Sequence, residues 1–320
     1  MLGADNSASR GLPTVSGSIT AVVVTYNRKS LLQQCLQALI AQTRKPDRIV
    51  VVDNASTDGT RELIQERQWL SRADVELLAL KENTGGAGGF AAGIAHAVAG
   101  SADWIWIMDD DAEPHADALA ELMKVATDPA NIYGSLATNG PDTSWTTTLV
   151  DHPQRIVDHA VDVPQCARVQ SLPFLGFMIH RDLVGTIGLP DAGFFIAADD
   201  IEYCMRAERA GADIFIAGTS RIEHPKSDRY TARVPGRDLI CLRLAPWKRY
   251  YDTRNRLLIA RKYYGWRLLT HTIPGSLVRL YAALRYEPRK LAQLGAFCAG
   301  MFDGLCGIKG RRHAKWGLAP

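Results

Sequence analysis

The sequence has no apolar segment at its start. Residues 1–17 are polar and rich in glycine and serine, which excludes a secretory signal there and reads as a disordered leader. It also lacks an uninterrupted membrane span. The longest stretch without a charged residue, 83–102, has about the length of one, but it is full of glycine and carries Asn83 and His96. Cysteine is sparse and unpatterned. Its 6 copies form no C-x-x-C pair, which speaks against a zinc site or a disulfide ladder and for reduced, mostly core thiols. No internal repeat and no low-complexity block interrupts the chain.

What is there is ordinary globular material. With 320 residues, 47% of them hydrophobic, the chain can bury one large core or one domain plus an appendage. The net charge of +3 hides an asymmetry. Residues 241–320 hold 16 Lys and Arg against 3 Asp and Glu, so this part carries +13 and residues 1–240 carry −10. An acidic body suits a cation, and a basic tail suits something anionic or is simply a set of solvated helix faces.

From Ser18 onward, β-branched runs alternate with amphipathic segments. Strands are predicted at 19–24, 48–52, 75–80 and 104–108, with helices after Ser30, at 60–68 and at 88–98. Ser30 with Gln33 three residues on has the form of a capping box. Strand–helix alternation with short connections predicts an α/β fold with a mainly parallel sheet flanked by helices. Beyond Asp111 the pattern loosens and 139–173 reads as turn-rich. Strands follow at 174–179 and 214–217, and a helix at 198–210. From Pro246 the chain reads as helical, basic and aromatic. The expected organisation is an α/β domain over 18–240 and a basic helical region over 241–320.

Polar clusters fall just past the four predicted strands: Thr25-Tyr26-Asn27-Arg28, Asp53-Asn54-Ala55-Ser56, Asn83-Thr84-Gly85-Gly86 and Asp109-Asp110-Asp111. Ligands of open α/β sheets bind beyond the carboxyl ends of the strands. One such cluster is usually a turn; four at equivalent places make a site. Three adjacent carboxylates repel one another unless a cation is present, and hard divalent ions bridge oxygen ligands to phosphates. An acidic helix start would also explain them. Asp53 suits a ribose or base hydrogen bond, or a structural turn. The glycines of 85–89 let backbone approach a ligand closely, without matching a dinucleotide fingerprint. Asp199-Asp200-Ile201-Glu202 opens a helix and offers a general base. His224, before Pro225, is a metal ligand or a structural histidine.

Together these segments resemble the inverting family-2 glycosyltransferases of the nucleotide-sugar-binding GT-A fold. The carriers are V-V-V-T-Y-N-R, V-V-D-N-A-S-T-D-G-T, M-D-D-D, D-D-I-E-Y and the late His224, spread over about 19–312. The N-T-G-G-A-G-G-F stretch from Asn83, the H-P-K-S-D segment from His224 and Tyr251-x-x-Arg254-Asn255 are similar to bacterial galactofuranosyltransferases of the type that initiates galactan. The resemblance implies Mn²⁺ or Mg²⁺ on Asp109, Asp111 and His224. It implies a nucleotide sugar held by Thr25, Asn27, Arg28, Asp53, Asn83, Gly85, Gly86 and Asp110, and Asp200 as the base. It further implies UDP-galactofuranose as donor, with dTDP-rhamnose as the alternative, and a lipid-linked glycan acceptor. Polymerising relatives place two tryptophans in the acceptor site where this chain has Phe174-Leu175, which favours addition of one or two sugars. Basic and aromatic residues of the tail suit an anionic membrane surface, as a peripheral protein on the cytoplasmic face. No nucleic-acid reader motif is present, and the oligomeric state is left open. A glycoside hydrolase would not need the aspartate triplet. A non-catalytic nucleotide binder would not need the second acidic cluster.

Overall fold

The computed structural model describes residues 17–72, 74–150, 154–234 and 236–319. The expected leader therefore lies outside the described residues, apart from Gly17. The chain runs β1 (Ile19–Thr25), α1 (Lys29–Ile40), β2 (Arg48–Asp53), α2 (Thr60–Glu66), β3 (Val75–Ala79), α3 (Gly85–Ala99) and β4 (Trp104–Asp109). It continues through β5 (Glu113–Pro114), α4 (Ala118–Val125), β6 (Ile132–Asn139), β7 (Asp142–Leu149), β8 (Arg155–His159), β9 (Ala167–Arg168) and β10 (Phe177–His180). Then come α5 (Arg181–Ile187), α6 (Asp199–Arg209), β11 (Ile214–Glu223), β12 (Arg229–Val234), β13 (Arg237–Leu242), α7 (Pro246–Tyr263), α8 (Ile273–Tyr286) and α9 (Lys290–Cys306).

The central sheet has the order β3-β2-β1-β4-β10-β6-β11-β5. Strands β3, β2, β1 and β4 are mutually parallel. Strand β10 runs antiparallel to both its neighbours, while β6 and β11 are parallel to each other. The alternating pleat sends β1 to two cores. Val22 and Val24 pack with Phe90 and Ile94 of α3 on one face. Ala21 and Val23 pack with Leu32, Leu36 and Leu39 of α1 on the other.

Local expectations fail where partners distant in sequence take over. The capping box does not form, since α1 begins at Lys29 with no side-chain cap and Asp58 accepts from the Lys29 N–H at 3.0 Å. The glycine segment is not a loop ahead of a helix but the first turn of α3. Close packing explains the glycines: a Cβ on Gly89 would lie 2.5 Å from Val24, and one on Gly93 2.3 Å from Val22. The turn-rich stretch contains the β7–β8 hairpin. The strand read at 214–217 continues through an irregularity to Glu223, and an unforeseen hairpin, β12–β13, precedes the helices.

In the C-terminal region α9 lies directly on α7. A Cβ on Gly300 would meet the Tyr250 carbonyl at 2.6 Å, and one on Gly304 the Arg254 carbonyl at 2.9 Å. Asp303, fully buried on α9, accepts from Tyr250 Oη at 2.5 Å, Arg312 Nε at 2.9 Å and Trp316 Nε1 at 3.1 Å. Although burial opposes ionisation, those three donors hold its carboxyl below the usual range.

Candidate active site

In the parallel ladder Val24 sits opposite Asp109, so the chain leaves β1 and β4 side by side at their carboxyl ends. The polar residues that follow therefore meet. Thr25 Oγ1 donates to Asp110 Oδ2 at 2.7 Å. Arg28 Nη1 donates to Asp111 Oδ2 at 2.8 Å and to Asp110 Oδ1 at 3.4 Å. Burial lifts the Asp110 carboxyl to about 6 against the pull of Thr25 and Arg28. Asp109 is pushed well up by burial and by repulsion from Asp111, Asp110 and Asp199. Asp111 goes the other way: burial opposes its charge, but His224 and Arg28 outweigh it.

His224 follows β11 and brings its Nε2 to 3.3 Å from Asp111 Oδ1, near enough for an ion pair. Asp111 Oδ1 and His224 Nδ1 are both buried without a hydrogen-bond partner among the described residues. Unpaired buried polar atoms are costly, by about 1–3 kcal/mol each, unless something else satisfies them. Carboxylate oxygen and imidazole nitrogen suit Mn²⁺ and, for the oxygens, Mg²⁺. The donor chemistry thus fits a divalent ion at Asp111 and His224. Among the described residues no three His, Cys, Asp or Glu side chains converge as a ready-made cage.

Across the cavity, Asn54 organises the start of α3. Its Oδ1 accepts from the Thr84 N–H at 2.8 Å and its Nδ2 donates to the Gly85 carbonyl at 2.9 Å. Asn83 Oδ1 accepts from the Gly85 N–H at 2.8 Å. Only glycine fits at 85, where φ is +74° and a Cβ would lie 2.0 Å from the Phe195 carbonyl oxygen. Asp53 and Asn27 are placed otherwise. Asp53 is fully buried, with Oδ1 taken by the Ser56 N–H at 2.8 Å and Oδ2 by Arg61 Nε at 2.6 Å. Asn27 Oδ1 accepts from the Thr57 N–H at 2.7 Å and ties two loops together.

The second acidic cluster opens α6. Burial and the repulsion of Asp200 raise Asp199 to about 8, and burial raises Asp200 to about 6. Asp199 adds to the repulsion that raises Asp109. Glu202, fully buried, is spent on structure: it accepts from Lys262 Nζ at 2.7 Å and Tyr263 Oη at 2.5 Å and also binds Arg206.

The backbone leading into Asp199 is strained. Phe195, Ala197 and Ala198 all have positive φ, at 66°, 68° and 61°, each at a cost of about 1–3 kcal/mol. Two fully buried side chains of α7 hold it. Arg254 Nη2 donates to the carbonyls of Gly193 at 3.1 Å and Phe194 at 2.7 Å. Asn255 Nδ2 reaches those of Phe194, Ile196 and Ala197 at 3.1, 2.7 and 2.8 Å. Arg254 Nε donates to Asn255 Oδ1 at 2.8 Å, which settles the amide's orientation. Contacts worth about 1 kcal/mol each, more from a guanidinium, offset strain of that size.

A cavity of about 410 Å³ is lined by Thr25, Arg28, Asn83, Gly85, Gly86 and Asp109–Asp111 from the body, with Asp199, Asp200 and His224 outside its lining. Its far wall is Phe195 and Ile196 together with Trp247, Lys248, Arg311 and His313 from the C-terminal region. Burial and nearby Arg28 lower the Lys248 ammonium, while Asp111 supports its charge. Asn54 was visible in sequence as part of a polar cluster. Lys248, Arg311 and His313 had no motif to announce them. Phe174 and Leu175 do not line this cavity; both are buried, Phe174 against Phe90 at 4.8 Å between ring centroids.

A mostly parallel sheet with an acid-rich, cation-walled cavity at its strand ends defines the class, the GT-A glycosyltransferases. The structure matches GalNAc-T7, solved with UDP, GalNAc and Mn²⁺, at a TM-score of 0.63 and 15% identity, covering 95% of this chain and 59% of that one. It matches the mannosyltransferase PcManGT from Pyrobaculum calidifontis, solved with GDP-Man and Mn²⁺, at 0.57 and 17% identity, over 92% and 88% of the two chains. The profile of Glycosyl transferase family 2 matches residues 20–184. The chain belongs to that family and is a glycosyltransferase. It is 32% identical over 255 residues to the galactofuranosyltransferase GlfT1 of Mycolicibacterium smegmatis, covering 74% of this chain and 81% of the relative. The Mycobacterium tuberculosis enzyme of that name is 33% identical over 258 residues, 75% and 81% of the two chains. The dTDP-rhamnosyl transferase RfbF of Shigella flexneri is 23% identical over 301 residues, 92% and 98%.

Proposed function

We propose that this enzyme transfers galactofuranose from UDP-galactofuranose, with inversion, to a hydroxyl of a lipid-linked glycan. The observation that carries the donor is the 32–33% identity to galactofuranosyltransferases, against 23% to the rhamnosyl transferase. The nucleotide lies in the 410 Å³ cavity, against Thr25, Arg28, Asn83 and the glycines that open α3. Asp200 in its ionised form takes the proton of the acceptor hydroxyl. That oxygen bonds to the anomeric carbon from the face opposite the diphosphate, whose bond to the sugar breaks and whose electron pair leaves with UDP. Asp109, Asp111 and His224 would hold a Mn²⁺ or Mg²⁺, which would supply positive charge for the diphosphate. Lys248 and Arg311, on the opposite wall, add two more charges. Asp110 stays bound to Thr25 and Arg28 and shapes the floor.

The same reading places the protein at the cytoplasmic face of a membrane. Among the described residues no helix is long and apolar enough to cross one. Exposed Trp266, Leu269, Leu291 and Phe302 lie among the basic residues of the C-terminal region, a composition that suits an anionic interface.

The test is a donor screen with Mn²⁺, reading released nucleotide for UDP-galactofuranose, UDP-galactose and dTDP-rhamnose. UDP-galactofuranose should be turned over at least about tenfold faster than either rival, a gap of about 1.4 kcal/mol. Preference for dTDP-rhamnose overturns the donor, and no metal-dependent release with any of them overturns the reading itself.

A further inference from the structure

His313 enters the donor cavity from the segment after α9, and its surroundings fix which ring nitrogen carries hydrogen. The residue is 3% exposed and lines the cavity together with Trp247 and Phe195, whose ring centroids lie 5.6 and 5.8 Å from its own. Its Nδ1 stands 2.8 Å from Tyr251 Oη, and both residues are buried. The Tyr251 oxygen accepts from the Arg312 N–H at 3.2 Å, and the His313 N–H pulls on it as well. Burial outweighs both and raises the phenol, so it keeps its proton. Among the described residues that proton has one acceptor, His313 Nδ1. A buried hydroxyl without an acceptor is costly, so Nδ1 accepts and the neutral imidazole carries its hydrogen on Nε2. Burial and the charge of Arg311 lower the ring's pKa from the ordinary histidine value, which favours that neutral form.

Nε2 has no hydrogen-bond partner among the described residues, yet it is not sealed off as His224 Nδ1 is. In a ring this buried, the space it opens onto is the cavity that it lines. It shares that wall with Lys248 and Arg311. Two cations and a fixed N–H donor suit the several oxygens of a diphosphate. We propose that His313 Nε2–H donates a hydrogen bond to a diphosphate oxygen of the nucleotide sugar, and that Tyr251 is the positioning residue that aims it. No proton is transferred. When the bond between the anomeric carbon and the diphosphate breaks, its electron pair stays on the leaving oxygen, and the imidazole stabilises that charge while keeping its hydrogen. The inference rests on the donor reading above, which makes this cavity the diphosphate's place.

UDP, titrated calorimetrically into the full chain and two variants, separates the two nitrogens. His313→Asn puts an amide oxygen near the place of Nδ1, which keeps an acceptor for Tyr251 and removes the Nε2 donor. It should bind UDP at least about tenfold more weakly while unfolding near the wild-type temperature. His313→Gln puts an amide nitrogen near the place of Nε2 and takes the acceptor from Tyr251. It should bind UDP more tightly than His313→Asn yet unfold at a lower temperature. The reverse ranking, or unchanged UDP affinity in His313→Asn, overturns the proposal and assigns the histidine to structure. Uridine, measured by competition with UDP, should bind His313→Asn and the wild type alike; equal losses for uridine and UDP overturn the diphosphate contact. Should neither variant fold, long-range proton–nitrogen spectra of the nitrogen-labelled wild type decide. They should show the Nε2–H tautomer of His313, with an Nε2 signal that moves when UDP is added. The Nδ1–H tautomer, or a signal indifferent to UDP, overturns the proposal. A wild type that binds no UDP counts against the donor reading instead.

Discussion

The strand-bearing body and the C-terminal helices contribute to one cavity in opposite currencies. The body provides carboxylates, and it places them with a strand end: Asp109, the last residue of β4, and Asp110 and Asp111 just beyond it. The helical region provides the cations Lys248 and Arg311, and its Arg254 and Asn255 brace the segment that forms the far wall. The body's groups are positioned by a ladder of backbone hydrogen bonds. The helical groups are positioned by buried side-chain networks that draw on residues as far apart as Tyr250 and Trp316. Ladders tolerate the loss of a side chain. Networks around a buried charge do not.

Variants can break that contrast in order of effect. Asp200→Asn should lower turnover by roughly 10²–10⁴-fold, the range for a general base, while UDP affinity by calorimetry stays within a few-fold. The wild-type rate should show the same group's titration: with the carboxyl raised to about 6, activity is full above pH 7 and falls as protonation removes the base below pH 6. A flat profile down to pH 4.5 would deny Asp200 that part. Asp303→Ala leaves Arg312 without its buried partner and should destabilise the fold by about 3–5 kcal/mol, read as a fall in the denaturation midpoint. An effect below 1 kcal/mol would show the C-terminal network to be dispensable.

Asn255→Ala removes the amide from three carbonyls of the strained segment. A cost of about 1–3 kcal/mol in stability is expected, with kcat reduced more than donor affinity. A fall in donor affinity alone would mean that the clamp serves the nucleotide and not the base. Smallest is Lys248→Ala, which forfeits one charge-assisted contact. Donor KM should rise about tenfold at unchanged stability, since a hydrogen bond to a charged group contributes about 1.5–3 kcal/mol. An unchanged KM would place the lysine outside diphosphate contact.

The same contrast decides what could be read without coordinates. Four apolar runs ending in polar clusters sufficed for β1 to β4 and for the meeting of Thr25, Arg28 and Asp109–Asp111, because a parallel sheet brings equivalent ends together. Asp53 shared the pattern, yet Arg61 and the Ser56 N–H absorb its oxygens and its neighbour Asn54 faces the cavity instead. No spacing distinguishes those two. The β6–β7 pairing was obscured because Gly140 and Pro141 read as loop when they form the turn between these strands. Lys248, Arg311 and His313 were illegible for a different reason. Lys248 comes from the start of α7 and Arg311 and His313 from the segment after α9, and long-range packing of that kind leaves no periodic trace in a single sequence.

Arg254 Nη1 donates to the Gly310 carbonyl at 2.6 Å while its Nη2 grips the segment before Asp199. That one guanidinium links the base to the segment that follows α9. During synthesis the aspartates emerge early, but the cavity wall and the clamp's outer anchor exist only once residues 310–313 have left the ribosome. An unfinished chain would expose a diphosphate site without its wall and a base without its brace, and so would hold little capacity to waste an activated sugar on water.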